Sequence, residues 1–371
     1  MIIGIDISQI VYQTGVSRYT KDLVRNLLLA DKENEYKLYA GVIRQLPQIL
    51  NFLKQLKNDG AKFKSFIYPI SPKLADKFWN QWRLLEIENL IGHIDVWHSS
   101  NWTQPPTKAK KITTIHDLTP VLFPNYHDQL VVENFKRNLQ LIEKNIDMVT
   151  VDSRATKDDL VNNINIDRQK ITVIYPGVDP IFCQKSKEGI DNVKKKYKLE
   201  KPYILSVGTK EPRKNIKRLI EAFVSLGRSD IELVLVGKRG WGEEVEVGKA
   251  KVKELGFVED KDLPALYSGA ILFAYPSLYE GFGFPVLEAM ACGCPVITSN
   301  ISSLPEVVGQ TALLVYPKET KEIANAINTL LNDDKLRQKL VKNGLEQAKK
   351  FSWEKTANQM IKTYQDINNV N

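Results

Sequence analysis

The chain is poor in cysteine and histidine, with three of the first and four of the second in 371 residues. Three cysteines cannot build a disulfide framework at this length. Cys292 and Cys294 stand one residue apart, which is not the spacing of a zinc clip. His93, His98, His116 and His127 offer no pair at metal-ligand spacing on one helix face. No basic leader with a long apolar core opens the sequence, and no apolar run is long enough to span a bilayer. These absences point to a reducing, cytoplasmic setting. No Gly-x-Gly-x-x-Gly follows the first apolar run, which argues against a dinucleotide oxidoreductase. The net charge of +8 is spread over both halves, without the concentrated basic face that grips nucleic acid.

What is present is ordinary globular material, 43% hydrophobic and 26% charged, in a length that suits two domains. Short apolar runs at 2–6, 36–42, 95–98, 111–115, 148–151 and 171–174 read as strands. Helical periods at 15–29, 46–56 and 130–146 lie between them, and Ser153 is placed to cap a further helix. The pattern restarts with strands at 203–207, 231–236, 256–258, 271–275 and 295–298, helices at 216–226 and 286–291, and three closing helical stretches from 319. Strands apolar on both faces imply parallel sheets covered by helices. The expected fold is α/β: two doubly wound, Rossmann-like domains, 1–180 and 181–352, facing across a cleft at the strand C-termini. The hinge is expected near 175–177 and the polar stretch 184–201.

The most informative segment is Tyr279-Glu280-Gly281-Phe282-Gly283-Phe284-Pro285-Val286-Leu287-Glu288-Ala289, which leaves a strand and opens a helix. Gly281 and Gly283 let the backbone approach a ligand, Pro285 suits the first helical turn, and the free amides there form an anion site. Carboxylates repel phosphate, so Glu280 and Glu288 suit hydrogen bonds from sugar hydroxyls. By spacing alone they also fit a loop glutamate and a glutamate placed well in the helix dipole.

Glu280-x7-Glu288, the Gly-Phe-Gly-Phe-Pro between them and the Cys-Gly-Cys-Pro-Val-Ile beyond resemble the signature of retaining family 4 glycosyltransferases of the GT-B fold. The likeness continues through Ser303-Leu304-Pro305-Glu306, Val207-Gly208-Thr209, Pro212-Arg213-Lys214-Asn215, Gly256-Phe257-Val258 and Thr114-Ile115-His116-Asp117-Leu118. The resemblance implies an N-terminal acceptor-side domain, a C-terminal domain for the nucleotide-sugar, and a last helix, 353–371, packing back on the first domain. Glu280 would bind the donor sugar's hydroxyls, with Gly281, Phe282 and Gly283 offering amides to sugar and phosphate. Glu288 would hold the ribose, while Lys214 and Arg213 would neutralise the diphosphate. Phe257 and Val258 would border the base, His116 would reach the transferred sugar, and Gly15 would approach the diphosphate or acceptor.

Many relatives carry arginine where this chain has Thr209, which leaves Lys210, Arg213 or Lys214 to supply the missing charge. The Thr-x-Glu-Pro-Arg-Lys-Asn version resembles mannosyltransferases of polysaccharide assembly. It favours GDP-mannose over UDP-sugars as donor, a saccharide or lipid-linked acceptor, and no metal or cofactor. The alternatives are a non-catalytic nucleotide- or sugar-binding module and another enzyme of this fold, such as a sugar-nucleotide epimerase. Asp260-x-Asp262 matches a metal–diphosphate motif, but Asp262 is expected to be an N-cap. Glu280→Ala or Lys214→Ala is expected to abolish transfer with little effect on melting. The six lysines of 54–77, beside an apolar face of Leu74, Phe78, Trp79, Trp82 and Leu85, suit contact with an anionic membrane at its inner face. They equally suit a solvated lysine face over a buried helix.

Overall fold

The computed structural model describes residues 1–12, 14–238 and 251–369. They form two compact units: Met1–Gly177 together with the chain from Ser352 onward, and Val178–Phe351.

The first unit is built on β1 (Ile2–Asp6), β2 (Glu35–Gly41), β3 (Lys64–Tyr68), β4 (Val96–Ser99), β5 (Lys110–Ile115), β6 (Met148–Val151) and β7 (Ile171–Val173). Their order is β3-β2-β1-β4-β5-β6-β7, and every pairing is parallel. The chain winds outward from β1 in one direction and from β4 in the other, so the order reverses between these two strands. Ile115, Leu139, Ile142, Val149 and Leu160 form one buried cluster, and Tyr39, Trp79 and Trp97 belong to another. Ser153 caps the helix Arg154–Asn163 as expected, its side chain accepting from Thr156 N. The helix Trp353–Asn369 lies on the helix Gly15–Ala30. The Tyr19 and Trp353 rings meet edge-on at 5.5 Å, and Tyr364 OH reaches His98 Nδ1 at 2.7 Å.

The second unit carries β8 (Tyr203–Val207), β9 (Glu232–Val236), β10 (Val252–Gly256), β11 (Leu272–Tyr275), β12 (Val296–Ser299) and β13 (Leu313–Val315). Among the described residues they form one parallel sheet in the order β10-β9-β8-β11-β12-β13. Its core gathers Ile204, Leu219, Phe223, Leu233, Ile323 and Ile327.

Three expectations are corrected. The strand expected at 256–258 lies earlier, at Val252–Gly256, because the left-handed Gly256 (φ +67°) ends it and turns Phe257 outward. The polar stretch 184–201 is not merely a connection: Lys187–Lys196 is a helix, capped by Ser186 and packed on the helix Leu263–Gly269. The five apolar residues of 74–85 do not share one face. A turn of π-helix at Asp76–Gln81 follows the short helix Pro72–Ala75, and Trp79 enters the core while Trp82 is 55% exposed and Leu85 44%. No helix among the described residues is long and apolar enough to cross a membrane.

Candidate functional site

In the second unit the strand order reverses between β8 and β11, where a parallel α/β sheet opens its crevice. After β8 the chain makes a tight turn at Pro212–Lys214. Asn215 ends that turn in the left-handed region (φ +58°), a conformation asparagine tolerates better than most residues. Its Nδ2 donates to Pro276 O at 2.9 Å and Pro317 O at 2.6 Å, tying the turn to the loops beyond β11 and β13. Leu278 N donates to Arg213 O at 2.8 Å. Two sequence-distant loops are thereby held together, and their side chains meet on Glu280.

Glu280 is 7% exposed, and both of its oxygens are occupied. Oε1 accepts from Lys214 Nζ at 2.7 Å, Tyr275 OH at 2.8 Å and Ser277 Oγ at 2.7 Å. Oε2 accepts from Arg213 Nη1 at 2.8 Å. Arg213 also donates to Tyr279 O at 3.0 Å and to Glu211 at 3.2 Å. The Lys214 ammonium lies 5.1 Å from the centre of the Tyr275 ring. Burial alone would raise the Glu280 pKa, but Arg213 and Lys214, with the hydrogen bonds of Lys214 and Ser277, hold it at about 2. Burial, then the neighbouring Glu280 charge, keeps the Tyr275 phenol protonated. An ammonium, a guanidinium, a phenol and a hydroxyl thus converge on one buried anion. Such a donor set stabilises oxyanions placed within its reach.

The backbone after Glu280 is fixed as firmly. Ser303 Oγ donates to Glu280 O and to Phe282 O, each at 2.8 Å, and Ser302 Oγ accepts from Glu280 N at 3.0 Å. Gly283 has φ +111°, and a Cβ there would come within 2.8 Å of Leu304 Cδ2. The helix Phe284–Ala291 then begins with proline in its first turn and without a side-chain cap. Gly281 and Phe282 are buried, Phe282 against the rings of Phe284 and Phe351.

The other residues singled out from sequence are distributed as follows. Glu288 is 3% exposed and accepts from Tyr267 OH at 3.0 Å. Thr209 supplies a backbone acceptor for Glu211 N. Lys210 pairs with Glu254, while Arg213 and Lys214 bind Glu280. Val258 is buried, whereas Phe257 is 62% exposed with Lys238 Nζ 5.8 Å from its ring centre. In the first unit Gly15 opens the helix Gly15–Ala30, capped by Thr14, and a Cβ on it would meet open space. His116 follows β5, and its Nδ1 lies 2.7 Å from Asp152 Oδ2.

Asp262 does not act as the expected N-cap. Its backbone is helical and its carboxylate makes no cap, because Lys196 and Tyr197 OH (2.8 Å) take it instead. These two partners outweigh burial and lower its pKa. His98 is an interior residue bonded to Tyr364 and Thr114, and burial pushes its pKa down to about 3. Among the described residues no three His, Cys, Asp or Glu side chains are grouped to hold a metal ion. The sequence reading missed Tyr275, Ser277, Ser302, Ser303 and Asp152. Tyr275 ends β11 five residues before Glu280, and Ser277 stands three residues before it in the strand-to-helix loop, a signal that was available. Asp152 carried no such signal.

Comparison with known proteins identifies the family. The model of Glycosyltransferase Family 4 matches residues 14–182, and that of Glycosyl transferases group 1 matches residues 189–347. The chain is 33% identical over 370 residues to O-antigen chain mannosyltransferase B of Escherichia coli, covering 95% of this chain and 96% of that one. It is 32% identical over 262 residues to O-antigen chain mannosyltransferase RfbU of Salmonella typhimurium, covering 68% and 69% of the two chains. Among solved structures it is similar to Anabaena HepE in complex with UDP-glucose, with a TM-score of 0.74 and 20% identity over 99% of this chain and 100% of that one. The two parallel sheets, the residues gathered on Glu280 and the end-to-end likeness to a curated relative place this chain in family 4 of the glycosyltransferases, with the GT-B fold.

Proposed function

We propose that the chain moves mannose, with net retention, from GDP-mannose to a saccharide or lipid-linked saccharide during assembly of a cell-surface polysaccharide. The observation that carries this reading is the 33% identity to the O-antigen chain mannosyltransferase along 96% of that protein. The donor set around Glu280 supplies the chemistry. As the bond between the anomeric carbon and the phosphate oxygen breaks, negative charge grows on the diphosphate. Arg213 and Lys214 stabilise that charge as it develops, joined by the amides of 281–283. The acceptor oxygen bonds to the anomeric carbon on the face the phosphate leaves, and the acceptor proton passes to the departing phosphate. No protein general base is required.

Glu280 holds both cations in place and offers its carboxylate to the sugar hydroxyls. Glu288 receives the ribose, and Phe257 and Val258 border the base. His116 meets a sugar hydroxyl from the first unit. The reaction is proposed to need no metal, since Lys196 and Tyr197 already hold the Asp262 carboxylate. We place the protein in the cytoplasm, resting on an anionic membrane through the exposed Leu74, Trp82, Leu84 and Leu85 beside the lysines of 54–77.

A panel of nucleotide-sugars assayed for slow donor hydrolysis tests the donor without an acceptor. GDP-mannose is expected to be cleaved fastest, and GDP to raise the melting temperature more than UDP. Faster cleavage of a UDP-sugar would overturn the donor assignment, and no cleavage of any donor would overturn the transferase reading. Salt-sensitive flotation with anionic vesicles tests membrane contact, and its absence would remove that element.

A further inference from the structure

We propose that Asp152 is the positioning residue that fixes the His116 imidazole with its Nε2 lone pair turned to a sugar hydroxyl. This rests on the assignment of His116 as a sugar-facing residue. The register makes the pair. β5 and β6 run parallel with Ile115 opposite Val151, so His116 and Asp152, each one step further, emerge side by side although 36 residues separate them. Nδ1 and Oδ2 are 2.7 Å apart, and Asp152 is 2% exposed. An ionised carboxylate only accepts, so beside the Asp152 anion Nδ1 carries the proton, and a neutral imidazole then has its free lone pair on Nε2.

The surroundings restrain the ring further. Tyr19 stands edge-on to it with centroids 4.6 Å apart. The adjacent acid of the His-Asp pair does not compete. Asp117 Oδ1 accepts from Thr119 N at 2.9 Å and from Thr119 Oγ1 at 2.5 Å. His98, the nearby second imidazole, has both nitrogens bonded inside the unit and offers nothing to a ligand. Of these two histidines, only His116 pairs one nitrogen with a buried carboxylate, and its other nitrogen has no hydrogen-bond partner among the described residues. The hydroxyl that meets Nε2 would therefore donate its proton to the protein, a direction of hydrogen bonding that an N–H in the same place would reverse.

Two measurements on the full-length chain test this. With 15N-labelled histidine, NMR of the wild type should show His116 as the Nδ1–H tautomer at neutral pH, and Asp152→Asn should abolish that preference. Kinetically, Asp152→Asn and His116→Gln should each lower kcat by about 10- to 100-fold with the melting shift produced by GDP unchanged. The double variant should lose no more than His116→Gln alone. An Nε2–H tautomer in the wild type would overturn the proposal without any variant needing to fold. Fully additive losses, or an unaffected Asp152→Asn beside a crippled His116→Gln, would do the same. Full activity in His116→Gln would locate the failure in the assignment of His116. Absence of transfer by the wild type would strike the transferase reading while the tautomer still reports on Asp152.

Discussion

Replacing Glu280 by glutamine removes one negative charge and leaves the shape nearly intact. In the native protein this carboxylate is the shared partner of Arg213 and Lys214, both within 2.8 Å. Without it, the nearby carboxylate that remains is Glu211, 3.2 Å from Arg213. The magnitude follows from linkage. A glutamate held at about 2 against an ordinary 4.5 is stabilised by roughly 3 kcal/mol at neutral pH, at about 1.4 kcal/mol per pH unit. Breaking a buried ion pair from one side costs about 3–5 kcal/mol, which agrees. The buried ion pairs therefore predict a loss of stability on changing Glu280, where the sequence alone led to the expectation of nearly unaltered melting. Because the folded pKa is depressed, the contribution is fully present above 4.5 and disappears as pH falls through about 2. Amide exchange at pH 7 should therefore be roughly a hundredfold faster in the β8 and β11 peptides of Glu280→Gln, with unit 1 little changed. Urea unfolding curves of wild type and variant should converge as pH approaches 2. A variant within about 1 kcal/mol of wild type at pH 7 would refute the claim that this carboxylate compensates the two cations.

Gly237→Ala should severely destabilise the second unit, since φ is +145° and the new Cβ would lie 2.0 Å from Gly208 O; a normal melting temperature would contradict the packing of β8 against β9. Ser153→Ala should lower stability by about 1 kcal/mol in urea unfolding, through loss of the bond from Thr156 N at 3.0 Å. Saturating EDTA should leave donor hydrolysis unchanged, and strong inhibition would return Asp260 and Asp262 to consideration as metal ligands.

The strands buried on both faces were legible because an unbroken apolar run needs no partner to be recognised. β3 was not: Lys64 and Ser65 are exposed on this edge strand and Phe66–Tyr68 only half-buried, so little periodicity marks it. The helix Lys187–Lys196 hid for the same reason, since none of its residues is buried and its composition reads as a linker. Trp79 and Trp82 looked equivalent by spacing, and the π-helical turn separated them into core and surface. The motif around Glu280 declared its residues but not their mutual occupation, because Arg213 and Lys214 arrive from a turn 66 or more residues away. Asp152 was beyond reach altogether, for only the β5–β6 register brings it to His116.

The closing helix Trp353–Asn369 has a consequence for synthesis. The second unit is one uninterrupted stretch, Val178–Phe351, whereas the first is made in two pieces. The first begins earlier in the chain yet stays unfinished, its His98 lacking Tyr364 and its Tyr19 lacking Trp353, until the helix Trp353–Asn369 has been made. The nascent chain must therefore carry an open seam in the first unit while all of the second is being made, and a chain stopped near residue 352 would leave the half made first incomplete.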